Sequence, residues 1–138
     1  MIRLVLDTNV LVSANLNDQG LEAVIVSLAL NKKVQLCVSA PILEEYQRVL
    51  LYPRLKFIPK EVAAFLARLR GSSLVVTPTK KVSESADDSD NRFLECAETA
   101  SADYLVAGNK RHFPKRWKTT EVVNARELLG LIGASFLK

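Results

Sequence analysis

Short apolar runs alternate with amphipathic stretches along this chain of 138 residues. The apolar runs predict strands over 2–6, 34–38, 73–77, 103–108 and 121–123. Apolar positions at helical spacing predict helices over 21–32, 41–51, 59–70, 90–100 and 125–133, with Gly71 just past the end of the third. Strands that are apolar throughout and are separated by helices are typical of a parallel sheet with helices on both faces. The sequence therefore predicts a three-layer α/β/α fold with about five parallel strands.

The composition is that of an ordinary compact domain, with 49% hydrophobic and 25% charged residues. At this length, folding is expected to remove roughly 68% of the unfolded chain's surface from water, so a core forms without a disulfide or a structural metal. We expect residues 1–138 to form one domain. The polar stretch over residues 77–89 is predicted to be a loop inside that domain.

The two cysteines and the length of the apolar runs indicate the cellular compartment in which the protein is expected. Cys37 and Cys96 lie in apolar stretches, which favours buried free thiols and a reducing compartment. No charged leader followed by a long apolar stretch opens the chain, and the longest apolar run, residues 21–30, is too short to span a bilayer. We therefore expect a cytoplasmic protein without a membrane segment. The net charge of +4 permits a polyanionic partner but does not identify one.

An aspartate ends the first predicted strand. In open parallel sheets, binding sites form beyond the carboxyl ends of the strands, which is where Asp7 lies. The alternative is that Asp7 or Asn9 caps the helix that follows the strand. Because two or three carboxylates bind a divalent cation far better than one, the choice depends on whether other acidic residues reach the same edge.

The predicted helix after the second strand carries two adjacent glutamates that face different ways. Glu45 lies on the apolar stripe of this helix, three residues after Ile42 and four before Val49. Glu44 points elsewhere and is placed for an exposed ion pair with Arg48, four residues on. A carboxylate on a buried stripe needs a partner, which a metal ion would supply. The alternative is that Glu45 lies at the edge of the stripe and reaches solvent.

Three aspartates precede the helix predicted over residues 90–100. Asp90 comes four residues before Leu94 on the face expected to pack on the sheet, so we take it as the third acid of the site. Asp87 and Asp88 lie in the preceding loop, where one of them caps the helix.

The fourth predicted strand has a polar residue at each end. Asp103 begins this strand and lies roughly 16 Å from the edge where Asp7 sits, at about 3.3 Å per residue. Asp103 is therefore interpreted as a turn residue or a cap at the start of the strand. Asn109 follows the end of the strand, and its amide oxygen is expected to face the site.

The segment KRHFPKRWK (110–118) interleaves cations with aromatic rings directly after Asn109. Such a mixture suits single-stranded RNA, because phosphates meet the cations and bases stack on the rings. We expect Lys110, Arg111 and His112 to contact RNA. The alternative for Phe113 and Trp117 is that they anchor this loop in the core.

Four segments, in this order and spacing, resemble the PIN domain family, specifically the small VapC-type proteins described as toxins of toxin–antitoxin pairs: LDTNV, SAPILEEY, DDSDNRFLECA and ADYLVAGNKRHF. The resemblance covers nearly the whole chain. It implies a sheet ordered 3-2-1-4-5, RNA cleavage with Mg²⁺ or Mn²⁺, frequent homodimers and a small inhibitory antitoxin protein.

The resemblance also assigns roles to individual residues. Asp7, Glu45 and Asp90 correspond to the acids that bind the metal and cleave RNA, with Thr8 and Asn9 in supporting positions. Many members of the family carry an aspartate where this chain has Asn109, so a second metal site depends here on a neutral amide.

The chemistry of the acidic residues is consistent with this assignment. Clustered carboxylates that hold Mg²⁺ lower the pKa of a bound water, polarise a phosphodiester and orient an in-line attack. Because the candidate ligands are oxygens and the chain has one histidine, a hard cation is favoured over zinc. The sequence therefore predicts a metal-dependent endoribonuclease acting on single-stranded RNA.

Other functions fit less well. The chain has no Gly-rich nucleotide loop and no G-x-S-x-G turn for a serine nucleophile. Asp7 also suits an aspartyl-phosphate enzyme, but the haloacid-dehalogenase pattern has a second acid where this chain has Asn9. The main rival is a non-catalytic RNA-binding module that keeps the PIN-like fold. A homodimer would use the apolar surface of residues 21–30 or 59–70.

Overall fold

The computed structural model describes residues 1–136. The strands are β1 (Arg3–Leu6), β2 (Gln35–Val38), β3 (Leu74–Val75), β4 (Tyr104–Val106), β5 (Arg116–Trp117) and β6 (Thr120–Val123). The helices are α1 (Thr8–Leu16), α2 (Leu21–Leu30), α3 (Ala40–Leu50), α4 (Pro59–Gly71), α5 (Asp88–Ala100) and α6 (Ala125–Phe136). Two 3₁₀ turns cover Pro53–Leu55 and Lys110–His112.

The sheet has six strands in the order β3-β2-β1-β4-β6-β5. Every pairing is parallel except that of β5 with β6, where Trp117 lies opposite Thr120. Helices cover both faces, so the predicted three-layer α/β/α fold is confirmed. The expected order 3-2-1-4-5 also holds for the parallel strands, because the predicted fifth strand is β6.

The sequence prediction missed the strand β5, gave no bounds for the helix α1, and misplaced the end of α4 and the start of α5, which begins at Asp88 and not at residue 90. A short hairpin places β5 antiparallel at the edge of the sheet, which makes six strands rather than five. Gly71 is the last residue of α4 rather than the residue beyond it, and Ser72 forms the C-cap with φ −97°. No turn there requires the left-handed conformation that glycine adopts easily.

The centre of the sheet is apolar because strands covered by helices on both faces lack a solvent side. Leu4, Val5 and Leu6 of β1 are fully buried, and α5 packs across β1, β2 and β4. Among the side chains of residues 1–133, Tyr46 of α3 and Phe93 of α5 are the largest that are fully buried, with ring centroids 6.4 Å apart. These two residues join α3 and α5 in one core.

Both cysteines are free and buried, as predicted. Burial disfavours the thiolate and raises the pKa of Cys37 to about 11 and that of Cys96 to about 12. Within residues 1–136, each helix falls short of the length and hydrophobicity that crossing a bilayer requires.

Candidate active site

Asp7 lies at the carboxyl end of β1, at the edge of the sheet where the site is predicted. Its backbone N–H donates to the carbonyl of Val106 on β4 at 2.9 Å, and its Oδ2 accepts from the N–H of Gly108 at 3.4 Å. The Asp7 side chain makes no capping hydrogen bond to α1, and Asn9 lies exposed inside that helix. The carboxylate of Asp7 therefore faces the ends of β1 and β4 instead of capping α1.

The environment of Asp7 disfavours its charge. Burial raises the pKa of this carboxyl above its usual value, and the negative charge of Glu45 raises it further. The backbone N–H groups of Gly108, Asn9 and Thr8 lie near the carboxylate and lower the pKa, against the effect of burial. A buried carboxylate of this kind gains from any cation that approaches it.

The two glutamates of α3 differ in exposure as the helix-face argument predicts. Glu44 is exposed, whereas the side chain of Glu45 is 14% exposed. The hydroxyl of Thr8 donates a hydrogen bond to Oε2 of Glu45, which brings Glu45 next to Asp7. The prediction of an ion pair between Glu44 and Arg48 is wrong. The guanidinium of Arg48 instead lies 3.7 Å from Oε1 of Glu45, three residues earlier in the helix. An i, i+3 pair is as accessible to an arginine as the i, i+4 pair.

Tyr46 fixes α3 against β1, a role that its place in the apolar stripe does not reveal. Its hydroxyl donates to the carbonyl of Leu6 at 2.5 Å, and the residue is fully buried. This bond holds the neighbouring Glu45 close to the end of β1. The only sequence signal was a tyrosine among aliphatic residues, since a buried phenol requires a hydrogen-bond partner.

Asp90 is buried on the inner face of α5, as its spacing from Leu94 predicts. Its Oδ2 is inaccessible to solvent and has no hydrogen-bond partner. The Nδ1 of His112 lies 3.7 Å from that oxygen. Burial, together with the negative charges of Asp87, Asp7 and Glu45, raises the pKa of Asp90 to about 6, against the opposing effect of His112.

The other aspartates have structural roles that match the sequence interpretation. Asp87 caps α5, and its Oδ1 accepts from the N–H of Ser89 at 2.9 Å. The hydroxyl of Ser89 also donates to this oxygen, and the two hydrogen bonds from Ser89 lower the pKa of Asp87. Asp103 lies at the opposite end of the sheet, where its Oδ2 accepts from the N–H of Arg3 at 2.8 Å.

Asn91 is a buried polar residue that the sequence analysis did not single out. Its amide donates to the carbonyl of Ser85 at 3.0 Å, and its Oδ1 accepts from the N–H of Ser85 at 2.7 Å. The hydroxyl of Ser85 donates to the carbonyl of His112 at 3.0 Å. Asn91 therefore ties the loop before α5, and through it the turn that carries His112, to the helix that carries Asp90.

Asn109 and Lys110 are engaged in local contacts at the other side of this edge. Oδ1 of Asn109 accepts from the N–H of Arg111 at 3.1 Å and caps the 3₁₀ turn. The ammonium of Lys110 lies 2.8 Å from Oε1 of Glu127. Arg111 and His112 are exposed. The metal contact expected of Asn109 and the RNA contacts expected of Lys110, Arg111 and His112 therefore stay predictions. The ion pair with Glu127 partly neutralises the charge of Lys110.

The aromatic residues of this segment face inwards, as the alternative interpretation had it. Phe113 is 7% exposed and packs edge-on against Phe93, with ring centroids 6.5 Å apart. Trp117 is half-buried, and its indole N–H donates to Oε1 of Glu98 at 3.2 Å. Neither ring forms an open stacking platform for bases.

The donor set matches a hard divalent cation, although the site is not compact. Within residues 1–136, no three Asp, Glu, His or Cys side chains are already grouped as metal ligands. The unpartnered, buried Oδ2 of Asp90 nevertheless needs a positive partner, and Asp7 and Glu45 are near enough to affect its pKa. The three carboxylates fit Mg²⁺ or Mn²⁺ if they turn towards one another on binding.

Comparisons with known proteins identify the family of this chain. A family model described as the PIN domain matches residues 3–111. The chain is 30% identical over 112 residues to the Uncharacterized protein MJ1680 of Methanocaldococcus jannaschii, and this match covers 79% of this chain and 72% of that protein. The solved structure of the T. brucei RRP44 PIN domain matches with a TM-score of 0.52 and 16% identity, over 98% of this chain and 83% of that one. The last match shows the fold alone, whereas the family model and its extent establish that the chain belongs to the PIN domain family.

Proposed function

We propose that this protein is a metal-dependent endoribonuclease that cleaves single-stranded RNA, with Asp7, Glu45 and Asp90 as its catalytic carboxylates. The PIN domain has a nuclease-type fold and is generally a metal-dependent ribonuclease. The observation that carries the proposal for this chain is the buried oxygen of Asp90, which lacks a hydrogen-bond partner beside two further carboxylates. Burial raises the pKa of Asp7 and of Asp90, so the ionised forms of these two acids are costly to keep unless a cation neutralises them.

The residues around the carboxylates would have distinct roles. Thr8 orients Glu45 through its hydroxyl, and Tyr46 holds α3 at the end of β1. Asn109 would add a neutral oxygen ligand, while the exposed Arg111 would contact the RNA. A bound Mg²⁺ or Mn²⁺ would supply Lewis-acid polarisation of the phosphodiester and a water of lowered pKa.

The test is cleavage of labelled single-stranded RNA by the purified protein with Mn²⁺, Mg²⁺ or EDTA. We expect products that depend on the metal and that disappear in Asp7→Asn, which keeps the shape of the side chain. Circular dichroism should show that this variant folds like the wild type. Full activity of the variant would exclude the proposed site.

A non-catalytic RNA-binding module is the second candidate. Asn109 in place of an acid and the absence of a ready-made metal cluster among residues 1–136 favour it. RNA binding without products, over a range of RNAs and metals and with no co-purified inhibitor, would support this candidate over the nuclease.

The narrower part of the proposal is that the protein acts in the cytoplasm as a toxin with a cognate antitoxin protein, as the VapC-like segments imply. Induced expression should then arrest growth of a bacterial host, and Asp7→Asn should relieve the arrest. Wild-type growth under strong expression of the active protein would oppose a toxin role.

A homodimer is also proposed, because Leu21 and Val24 of α2 are exposed apolar side chains. Light scattering that gives the mass of one chain at high concentration would exclude it.

A further inference from the structure

A cavity lies beside the carboxylates, on the side of α5 where the preceding loop meets the turn after β4. Its volume is about 330 Å³, and its lining residues are Glu84, Ser85, Ala86, Arg111, His112, Phe113 and Pro114. His112 lines this cavity and also lies 3.7 Å from Oδ2 of Asp90. A nucleotide whose phosphate contacts the acidic edge therefore has this cavity within reach of its base.

The two chain segments that form the cavity are held in place. The side-chain amide of Asn91 donates to the carbonyl of Ser85 and accepts from its N–H, and the hydroxyl of Ser85 donates to the carbonyl of His112. These bonds connect one wall of the cavity directly to the other. A pocket that is already formed binds its ligand without the entropy cost of ordering its walls.

The lining combines apolar and charged groups. Ala86, Phe113 and Pro114 supply apolar surface, whereas Glu84 and Arg111 are exposed charges of opposite sign. An unpaired nucleobase matches such a lining, because its faces are apolar and its edges carry hydrogen-bonding groups.

We propose that this cavity binds one unpaired nucleobase of the RNA, next to the phosphate that is cleaved, and that it prefers guanine. This inference rests on the proposed nuclease function. Guanine presents O6 and N7 side by side, which an arginine such as Arg111 binds with two hydrogen bonds. Guanine also presents adjacent N1–H and N2–H donors, which the carboxylate of Glu84 accepts as a pair. None of the other three bases presents either of these edges.

The test measures binding separately from cleavage. The Asp7→Asn protein is mixed in EDTA with fluorescent RNA hexamers, either of uridine alone or with one guanosine. We expect the guanosine hexamer to bind at least about fivefold more tightly, the lower limit of what a two-bond base contact supplies. Glu84→Gln, introduced into the same protein, should remove most of this preference. Glu61→Gln, on the exposed surface of α4, is the matched control and should preserve it.

Cleavage mapping on the wild type separates the two proposals. Cuts that depend on metal and fall next to guanosine in the wild type, but spread over all bases in Glu84→Gln, support both. Metal-dependent cuts with no base preference, equal in the wild type and Glu84→Gln, overturn the cavity assignment and leave the nuclease intact. A guanosine preference in binding with no cleavage at all supports the cavity and rejects the nuclease. Equal binding of both hexamers, or binding of neither, also overturns the cavity assignment.

Discussion

Asp90→Asn should make the metal-free protein more stable while removing its activity. The side chain of Asp90 is 12% exposed, and its Oδ2 has no hydrogen-bond partner. Burial first, and then the negative charges of Asp87, Asp7 and Glu45, raise the pKa of Asp90 from 3.8 to about 6. The carboxylate is therefore held in the folded protein against its preference for water, and an amide of the same shape avoids that cost.

The expected gain in stability follows from the raised pKa of Asp90. Each tenfold change in proton affinity corresponds to roughly 1.4 kcal/mol, so the ionised Asp90 costs at most about 3 kcal/mol of folding free energy. Because the folded state holds the proton more tightly than the unfolded chain, stability falls as the pH rises from about 4 to about 6. Above about pH 6 Asp90 is ionised in both states, and its contribution to folding stability is fully lost. At pH 7.5 in EDTA, we expect Asp90→Asn to raise the free energy of unfolding by about 1 to 3 kcal/mol.

Urea unfolding, followed by the fluorescence of the single tryptophan, Trp117, measures this difference directly. The difference between Asp90→Asn and the wild type should shrink as the pH is lowered from about 6 towards 4, because Asp90 then gains its proton. Asp88→Asn, at an exposed position in the first turn of the same helix, serves as the control and should change stability by less than about 1 kcal/mol. If Asp90→Asn is no more stable than the wild type at pH 7.5, the electrostatic account of the site is wrong.

Two further changes test neighbouring parts of the account. Asn109→Asp should strengthen Mn²⁺ binding about tenfold by adding a charged ligand, as measured by calorimetry, and an unchanged affinity would remove Asn109 from the site. Tyr46→Phe should lower the free energy of unfolding by about 1 to 3 kcal/mol, because it leaves the buried carbonyl of Leu6 without its partner. Urea unfolding of Tyr46→Phe within about 0.5 kcal/mol of the wild type would show that this hydrogen bond is not needed to hold α3.

The fold was predictable where burial imposes a strong pattern. The strands of the parallel sheet are apolar runs because both of their faces are covered, and α5 carries a clear apolar stripe. The hairpin strand β5 was missed because it is two residues long and lies at the edge of the sheet, where only one neighbour constrains its pattern. Gly71 was misplaced because a helix can end at an ordinary residue when its last carbonyls find other donors.

The candidate site was predictable as far as helix geometry determines which way a side chain points. Spacing alone separated Glu45 from Glu44, and Asp90 from its exposed neighbours, because residues three or four apart share a face. The partner of Arg48 was not predictable, since two glutamates lay within its reach and only the packed structure distinguishes them. The role of Asn91 depends on a contact with Ser85 across a loop, and no periodic pattern encodes such a contact.

Binding of Mn²⁺ to the protein without RNA tests the central claim most directly, namely that the three carboxylates together hold one divalent cation. Titration of the wild type, Glu45→Gln and Glu44→Gln, followed by the paramagnetic signal of free Mn²⁺, compares two neighbouring glutamates on different faces of α3. We predict that the wild type and Glu44→Gln bind Mn²⁺ equally, and that Glu45→Gln binds it at least tenfold more weakly because a charged ligand is lost. Equal binding by Glu45→Gln and the wild type would contradict the account.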